Sequence, residues 1–400
     1  MKHIIFSNHA LSGAGGARVI LNLSELLIKK NYKVSILIDR NIPIAFDIPD
    51  NVGVYLWHPL GIKKIYSNEK IKSTLDHKIN KKKSLTPSLK NKLAPYIKWM
   101  YYFFLTPLFI ISLYRFSKKN RIDYFIQNNI YVGLERNILV SKLFKFKFKF
   151  NFHNSPIEVF SRNDFKLLIK PQHFFKKFDC IAVSRGIIEE LQSIIKKPSK
   201  ELICIYNPFN FDKIRSLALE EIPNITNTPP YFIAVSTLTP RKRIDRLIKS
   251  YHAYYNKSNS TRYHLFIAGT GELELELKAM VERLNITSHV HFIGFINNIY
   301  PYIKRSKGLL LTSDSEGLPT VLIESLILET PVISTNCLTG PSEILIYNTT
   351  FLVDINTTET IIENQISDLM VQLQLTSSYI YDVTKFNENT VLNEWTKILN

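Results

Sequence analysis

Two carboxylates, Glu316 and Glu324, bracket the stretch of this chain best suited to chemistry. The apolar run 308–312 before them is short, like a buried strand, and the apolar stretch 320–328 is long enough for a buried helix. Pro319 suits the first position of that helix, because its missing N–H costs nothing there. Glu316 would then lie in the loop after the strand, with Glu324 about 8 Å along the helix.

The amides at the start of such a helix, together with the helix dipole, favour a diphosphate. The two carboxylates could accept hydrogen bonds from two separate hydroxyl-bearing rings. The pattern therefore predicts a sugar-nucleotide site, with a hexose at Glu316, ribose at Glu324, and phosphates at the helix start around Gly317, Leu318 and Pro319. The competing interpretation is that both glutamates are solvated surface residues, as most glutamates are.

This stretch resembles the E-x7-E signature of the retaining GT-B glycosyltransferases of family 4, in Ser-Asp-Ser-Glu-Gly-Leu-Pro (313–319), Ile-Glu-Ser (323–325) and Thr-Pro-Val-Ile-Ser-Thr (330–335). Residues 339–344 resemble the Gly-Pro-x-Glu-Ile version found in bacterial surface-polysaccharide enzymes, and the resemblance covers nearly the whole chain. It implies an α/β fold of two Rossmann-like parallel-sheet domains facing across a cleft. It also implies a retaining transfer of a hexosyl unit from a nucleoside diphosphate sugar, with a UDP-sugar favoured, to a hydroxyl of a lipid-linked or surface-polysaccharide acceptor, as in lipopolysaccharide or capsule biosynthesis.

Three cations, Arg241, Lys242 and Arg243, follow a predicted strand at 231–235 and precede a predicted helix. Cations at a helix start, where the dipole is already positive, imply an anion nearby, although a solvated helix start is the alternative. In the family pattern Gly-Arg-Leu-x-x-x-Lys-Gly, Lys242 matches the diphosphate-binding lysine, whereas Thr237 stands at the arginine position. A threonine offers a hydrogen bond and no charge, so we expect Arg241 or Arg243 to substitute.

Two glycine loops follow predicted strands. Gly15 and Gly16 lie in a βαβ opening, which implies a parallel sheet. That loop lacks the third glycine of a dinucleotide fingerprint, and a tight turn is an equal alternative. The resemblance implies that Gly15 and Gly16 lie near the acceptor, and that Gly269 and Gly271 lie near the nucleotide.

Phenylalanine and lysine alternate between residues 143 and 152, which predicts a strand with lysines on one face. The lysine face could line a basic cleft or meet water, and we favour water. His153 ends this strand, and such a histidine points into the cleft of an open α/β sheet. Alone, it is more often a packed or surface residue, but in the resembled family a histidine here hydrogen-bonds the donor sugar.

Length and charge bound the organisation. Four hundred residues suggest two or three domains, and the polar stretch 220–230 is the best linker candidate. The resemblance implies an acceptor-side domain at 1–208, a nucleotide-sugar domain at 209–385, and a closing helix at 386–400 that packs back onto the first domain. Residues 1–200 carry 35 Lys and Arg against 13 Asp and Glu, whereas the second half carries 16 against 21. The two halves therefore meet different partners, and basic surface attracts nucleic acid, anionic lipid or a phosphorylated acceptor.

The segment 63–98 holds eleven lysines and two acidic residues, and an uncharged, aromatic-rich run at 99–114 follows it. This run has a central proline and falls short of the roughly twenty residues that span a bilayer. A segment lying in an anionic membrane interface and a buried helix after a solvated loop are equally good interpretations. No nucleic-acid-binding module is recognisable, so we expect no nucleic-acid partner.

Three scattered cysteines argue for a reducing compartment and against a zinc site, and the first apolar segment is too short for a signal peptide. We expect a cytoplasmic protein, peripheral on the inner membrane face. The resemblance implies catalytic roles for Glu316, Lys242 and His153 and no cofactor or essential metal, in agreement with the lack of an Asp-x-Asp pair. A nucleotide-sugar epimerase of the same fold and a non-catalytic glycan- or lipid-binding protein remain as alternatives, and Thr237 gives the second slight support.

Overall fold

The computed structural model describes residues 1–11, 15–40, 47–65, 104–128, 134–161, 175–195, 198, 200–222, 229–257, 262–375 and 379–400. Parts of three predicted features lie outside these ranges: residues 12–14 of the first glycine loop, residues 66–103 of the lysine-rich segment and the run after it, and residues 223–228 of the linker candidate. The chain forms two compact units. Unit 1 contains Met1–Val183, Ile187–Pro208 and Val391–Asn400, and unit 2 contains Ser184–Gly186 and Phe209–Thr390.

Unit 1 is built on a sheet whose described residues form eight strands in the order β4-β3-β2-β1-β5-β6-β7-β8. Neighbouring strands pair in parallel, except for an antiparallel β3–β4 hairpin. The bounds are β1 His3–Asn8, β2 Lys33–Ile38, β3 Gly53–His58, β4 Gly61–Ile65, β5 Tyr124–Gln127, β6 Lys147–Phe152, β7 Asp179–Ala182 and β8 Leu202–Cys204. The βαβ opening predicted from the sequence is confirmed, because β1 and β2 pair in parallel on either side of the first helix.

The helices of unit 1 join these strands. They are α1 Gly15–Lys29, α2 at 104–119, α3 Leu134–Leu143, α4 Pro156–Ser161 and α5 Arg185–Ile195, whose first two residues are assigned to unit 2. The closing helix α13, Glu388–Leu399, contributes its residues from Val391 onward to unit 1. There the Trp395 ring packs edge-on against Phe6 of β1, and Lys2 Nζ donates to the Leu399 carbonyl at 2.7 Å.

The predicted ten-residue strand at 143–152 is wrong in its first half. Helix α3 runs through Leu143, and β6 begins only at Lys147. The expectation that its lysines meet water also fails at Lys149, which is buried and lies opposite Asp179 in the β6–β7 register. Their side chains form an ion pair with Nζ and Oδ2 2.9 Å apart. A central strand of a parallel sheet is covered on both faces, so the sequence alternation does not mark a solvent face.

Unit 2 is built on a parallel sheet whose described residues form six strands in the order β11-β10-β9-β12-β13-β14. The bounds are β9 Tyr231–Val235, β10 His264–Ala268, β11 Val290–Gly294, β12 Gly308–Leu311, β13 Val332–Thr335 and β14 Leu352–Val353. The helices are α6 Phe211–Leu217, α7 Ile244–Lys257, α8 Glu274–Arg283, α9 Tyr300–Arg305, α10 Thr320–Ile327, α11 Pro341–Ile344 and α12 Glu359–Leu375. Both units are parallel-sheet α/β domains, as predicted.

Helices α7 and α12 pack side by side over the centre of the unit 2 sheet. Leu247 and Tyr251 of α7 share a buried core with Ile366 and Met370 of α12. Within the described ranges, no helix combines the length and the apolar character needed to cross a bilayer.

Candidate active site

The strand order of unit 2 reverses at its first strand, because β10 lies on one side of β9 and β12 on the other. Open parallel sheets bind ligands beyond the carboxyl ends of their strands at such a switch point. The loop 236–243 leaves β9 there and carries the three cations, while the loop 312–319 leaves β12 and carries Glu316. Topology therefore brings together two segments that are about 70 residues apart in the sequence.

Glu316 is buried and held by two of the cations. Lys242 Nζ lies 2.5 Å from Oε1, Arg241 Nη1 lies 3.3 Å from Oε2, and the Ser313 hydroxyl donates to Oε1 at 2.6 Å. Burial alone would raise the pKa of Glu316, but the charges of Lys242 and Arg241 and the hydrogen bonds outweigh it, so the pKa lies below its ordinary value. Glu316 is therefore an ionised carboxylate at neutral pH, within a cluster of one net positive charge.

Neighbouring loops brace the backbone around Glu316. The Thr339 hydroxyl donates to the Glu316 carbonyl, and the Thr335 hydroxyl donates to the Ser313 carbonyl at 2.7 Å. Gly340 has a φ of +96°, and a Cβ there would lie 2.5 Å from Pro319 Cδ. Only glycine allows this approach without strain. The predicted Gly-Pro-x-Glu-Ile segment thus begins against the Glu316 loop.

The second glutamate, Glu324, is buried on α10. Tyr300 of α9 donates its hydroxyl to Glu324 Oε1 at 3.2 Å. No sequence pattern pointed to this tyrosine, since 24 residues separate the two. Pro319 is the N-cap of α10 and not its first helical residue, so the predicted helix start is one position early. Gly317, Leu318 and Pro319 are buried between Glu316 and the helix.

The three cations do not act together. Arg241 and Lys242, which belong to the short 3₁₀ turn Pro240–Lys242, both reach Glu316, and Arg241 also donates to the Ser315 carbonyl. Arg243 instead contacts the carboxylates of Asp245, Asp314 and Glu359. Arg241 is therefore the arginine placed beside Glu316 in a chain whose Thr237 is exposed.

Gly269 and Gly271 are required by close backbone packing. A Cβ on Gly269 would lie 1.9 Å from the Ser236 carbonyl oxygen, and one on Gly271 would lie 2.3 Å from that of Leu238. These glycines let the loop after β10 lie directly against the loop after β9. Their packing accounts for the glycines without a ligand, and their predicted place near a nucleotide stays a prediction.

In unit 1, His153 follows β6 directly, as predicted. Its Nε2 lies 3.0 Å from Asn151 Nδ2, and the same amide group donates to Asn128 Oδ1 at 2.9 Å. Burial lowers the pKa of His153 to about 4, so the ring is neutral at pH 7. A neutral ring that accepts from Asn151 at Nε2 carries its proton on Nδ1. The sequence did not identify either asparagine.

Gly15 is the first residue of α1, and a Cβ on Gly16 would have no neighbour within 4 Å. Packing therefore does not explain Gly16. The structure adds a pair that the sequence reasoning missed: His9 Nδ1 lies 2.5 Å from Asp39 Oδ1, just beyond the carboxyl ends of β1 and β2. In the part of the chain that is described, no group of three or more His, Cys, Asp or Glu side chains is arranged to hold a metal ion.

Comparison with known proteins gives the site its class. Residues 217–377, most of unit 2, match the family model for glycosyl transferases group 1. An uncharacterized glycosyltransferase of Methanocaldococcus jannaschii is 32% identical over 222 residues, which cover 52% of this chain and 53% of the relative. The N-acetylgalactosamine-N,N'-diacetylbacillosaminyl-diphospho-undecaprenol 4-alpha-N-acetylgalactosaminyltransferase of Campylobacter jejuni is 28% identical over 212 residues, covering 52% and 56%. The chain thus spans about half the length of each of these relatives.

A solved structure resembles the whole chain. S. aureus TarM, in complex with Fondaparinux, alpha-GlcNAc-glycerol and UDP, has a TM-score of 0.67 at 14% identity and is covered over 100% of both chains. At this identity the likeness concerns the fold alone, which is the predicted GT-B fold. The family model, the relatives and the fold together support a group 1 glycosyltransferase, and they favour neither an epimerase nor a non-catalytic binding protein.

Proposed function

We propose that this protein is a retaining glycosyltransferase of family 4 that transfers a hexosyl unit from a UDP-sugar to a hydroxyl of a lipid-linked or surface-polysaccharide acceptor. The observation that carries the proposal is the buried Glu316, held by Lys242 and Arg241 at the switch point of unit 2. The cluster combines an ionised carboxylate for a sugar hydroxyl with one net positive charge for a diphosphate.

In this proposal each part of the cluster has a role. Lys242, Arg241 and the amides at the start of α10 stabilise the negative charge that develops on the leaving diphosphate. Glu316 orients the hexose and supports an oxocarbenium-like transition state, while Glu324 holds the ribose. Because side chains and helix amides supply the positive charge, the proposal includes no metal cofactor. The leaving phosphate helps to deprotonate the acceptor hydroxyl on the same face of the sugar.

The remaining site residues follow the resemblance. Neutral His153 hydrogen-bonds the donor sugar, the Gly269–Gly271 loop lies near the nucleotide, and Gly15 and Gly16 lie near the acceptor. The names of similar proteins support the substrate classes: the C. jejuni relative is named for a diphospho-undecaprenol-linked substrate, and TarM was solved with UDP. A cytoplasmic location, where UDP-sugars and lipid-linked intermediates meet, belongs to the same proposal.

A sugar-nucleotide panel tests the donor. A bound donor raises the melting temperature in proportion to the logarithm of its concentration over Kd. We expect stabilisation by UDP-sugars, UDP release that depends on a lipid-linked acceptor, and a product whose anomeric configuration matches that of the donor by NMR. Release of UDP without acceptor, accompanied by an altered sugar, would identify an epimerase, and stabilisation by glycans alone would identify a binding protein.

A matched pair of lysine variants tests the site. Lys242→Met should reduce transfer about 10²- to 10³-fold, the usual cost of removing one preorganised charge donor. Lys249→Met is the control, because Lys249 lies on the neighbouring helix α7, is half exposed, and pairs with Glu363 at 3.5 Å. Equal activities of the two variants would contradict the assignment of Lys242.

Helix α2 favours a further partner, an anionic membrane surface. One face of α2 is buried, with Phe109 packed edge-on against Trp57 of β3 at a centroid distance of 5.4 Å. The face at Leu108, Ile111 and Tyr114 is 39%, 47% and 53% exposed. Exposed Arg115, Lys118 and Lys119 follow along the helix. Exposed apolar side chains beside cations suit an interface of acyl chains and anionic headgroups.

Vesicle flotation tests this partner. We expect binding to vesicles that contain phosphatidylglycerol, weaker binding to phosphatidylcholine vesicles, and a loss of at least about fivefold for the double variant Leu108→Ser, Ile111→Ser. Leu275→Ser is the control, since Leu275 is 84% exposed on α8 of unit 2. Unchanged flotation of the double variant would exclude α2 as the membrane-binding surface.

A further inference from the structure

A second charge cluster lies directly behind Glu316 in unit 2. We call it the clamp, and it consists of two arginines and three carboxylates: Arg243, Arg246, Asp245, Asp314 and Glu359. The clamp connects the first turns of α7 and α12 to the loop that carries Glu316. Sequence patterns assign no role to Asp245, Arg246, Asp314 or Glu359, and the proposed sugar-nucleotide site does not use them.

Arg246 is the centre of the clamp and is only 2% exposed. Its Nη1 donates to the Thr312 carbonyl at 2.8 Å, and its Nη2 donates to Asp314 Oδ1 at 2.8 Å. Its Nε and Nη2 bind both oxygens of Glu359, at 3.0 and 2.9 Å. One guanidinium therefore joins α12 to two residues of the loop, using the fixed fork of donors that lysine lacks.

Backbone contacts join the same loop to the cation segment. The Asp314 amide donates to the Arg241 carbonyl at 3.0 Å, and the Thr312 hydroxyl donates to the Arg243 carbonyl at 2.9 Å. Arg243 Nη1 adds contacts to Asp314 and, at 2.8 Å, to Glu359. The clamp thus fixes the loop before Glu316 and the segment that carries Lys242 to each other.

The charges of the two clusters are sorted. The clamp has two positive and three negative groups, so its arginines are neutralised, whereas the Glu316 cluster keeps an excess positive charge. Hydrogen bonds from Arg246 and Arg243 hold the pKa of Glu359 at about 2, which keeps this partner ionised at all ordinary pH values. An anion entering the site therefore meets Arg241 and Lys242, while Arg243 stays bound to carboxylates.

We propose that Arg246 and Glu359 are positioning residues that hold Glu316 and Lys242 in the geometry needed for transfer. This inference rests on the proposed function for its catalytic consequence, but its structural part can be measured without any substrate. A displacement of about 1 Å in a reacting group can cost two orders of magnitude in rate, so a clamp residue that touches no substrate can still control kcat.

The chain offers a matched pair of variants on the same two helices. Glu359→Gln removes the charge that Arg246 binds at the loop end of α7 and α12. Asp368→Asn removes the exposed Lys257–Asp368 ion pair, 2.7 Å long, further along these helices. Both changes replace one acidic side chain of α12 by its amide, and surface pairs contribute little to stability. Asp314→Asn, in the exposed loop, is a second clamp variant should Glu359→Gln prove unstable.

Hydrogen exchange of the substrate-free protein is the first measurement. We expect at least about tenfold faster exchange at the amides of residues 312–316 in Glu359→Gln and Asp314→Asn, and no change in Asp368→Asn. The second measurement is kinetic: we expect kcat to fall about tenfold with KM for the UDP-sugar changed less than about threefold. Arg246→Lys keeps the charge but has one nitrogen in place of the guanidinium fork, so it should not restore kcat.

The outcomes separate this inference from the proposed function. Exchange and kcat equal to those of Asp368→Asn would overturn the clamp. Faster exchange with unchanged kcat would overturn its catalytic role. Faster exchange in the clamp variants of a protein whose wild type transfers no sugar would support the clamp and refute the proposed function instead.

Discussion

Replacing Glu316 by glutamine should weaken transfer and yet strengthen UDP binding. In the substrate-free site, Lys242 Nζ lies 2.5 Å from Glu316 Oε1 and Arg241 Nη1 lies 3.3 Å from Oε2. The cations proposed to bind the diphosphate are therefore already paired with the carboxylate proposed to orient the sugar. A diphosphate must compete with Glu316 for them, and the change Glu316→Gln would remove that competition without changing the size of the side chain.

The size of the effect follows from Coulomb's law. Two unit charges 2.5 Å apart attract by about 7 kcal/mol at an effective dielectric constant of about 20. Desolvation offsets most of this attraction in a buried pair, and the Ser313 hydroxyl and the solvent take up part of the remainder. We expect a net gain of about 1.4 kcal/mol, which is a tenfold lower Kd for UDP. Transfer should fall about 10²- to 10³-fold, because a neutral amide cannot stabilise positive charge on the sugar.

Isothermal titration of UDP into three variants gives the measurement. Glu316→Gln should bind UDP more tightly than the wild type, while Lys242→Met and Glu324→Gln should bind it more weakly. The two glutamates thus have opposite signs, although both changes replace a buried glutamate by its amide. Thermal melts provide the check on folding: without UDP, Glu316→Gln should melt below the wild type, because Lys242 and Arg241 lose their counter-charge, and UDP should raise its melting temperature by more.

The sign of the change in affinity decides the matter. If Glu316→Gln weakens UDP binding as much as Lys242→Met does, the carboxylate does not compete with the diphosphate, and the cluster is not arranged as we argue. If Glu324→Gln leaves UDP binding unchanged, ribose is not held by Glu324.

Three further predictions concern neighbouring residues. Tyr300→Phe removes the hydrogen bond to Glu324 and should lower the free energy of unfolding by about 1–2 kcal/mol in urea titrations, with weaker UDP binding. Gly271→Ala places a methyl group against the Leu238 backbone and should destabilise by more than about 2 kcal/mol, whereas Gly294→Ala, in open space at a φ of +69°, should cost about 1 kcal/mol in the same assay. The pKa of His153 is about 4 in the folded protein, against 6.5 unfolded, so the unfolded chain binds the extra proton. Stability should therefore fall as the pH drops from 6.5 towards 4, by up to about 3 kcal/mol, and His153→Gln should remove that part of the urea-measured loss.

The parts of the fold that the sequence predicted depend on local signals. The strand at 231–235 has the predicted bounds, and the helix after Pro319 ends within one residue of its prediction. Apolar runs, glycine and proline determine these elements within a few residues, so periodicity is enough to find them. The βαβ order then implies a parallel sheet, and the switch point follows from that topology.

The parts that it missed depend on partners distant in the chain. Lys149 is buried because β7 places Asp179 opposite it, 30 residues later. Tyr300 reaches Glu324 because α9 and α10 pack together, and no spacing rule predicts that contact. Composition predicted three cations for one anion, but Arg243 is bound by Glu359, 116 residues away. Side-chain pairing across the fold, and not the residue type, decides which charges remain available.

The backbone explains how adjacent cations come to have different partners. Arg241 and Lys242 end a 3₁₀ turn, and Arg243 then takes a left-handed conformation with φ 49° and ψ 46° before α7 begins. A left-handed residue other than glycine costs about 1–2 kcal/mol, which the contacts of Arg243 with three carboxylates offset. The change in backbone direction sends the Arg243 side chain to the clamp while Lys242 faces Glu316. A run of three cations at a strand end therefore gives two separate sites whenever its last residue adopts this conformation, and the excess positive charge that an anion meets is set by the turn as much as by the count of basic residues.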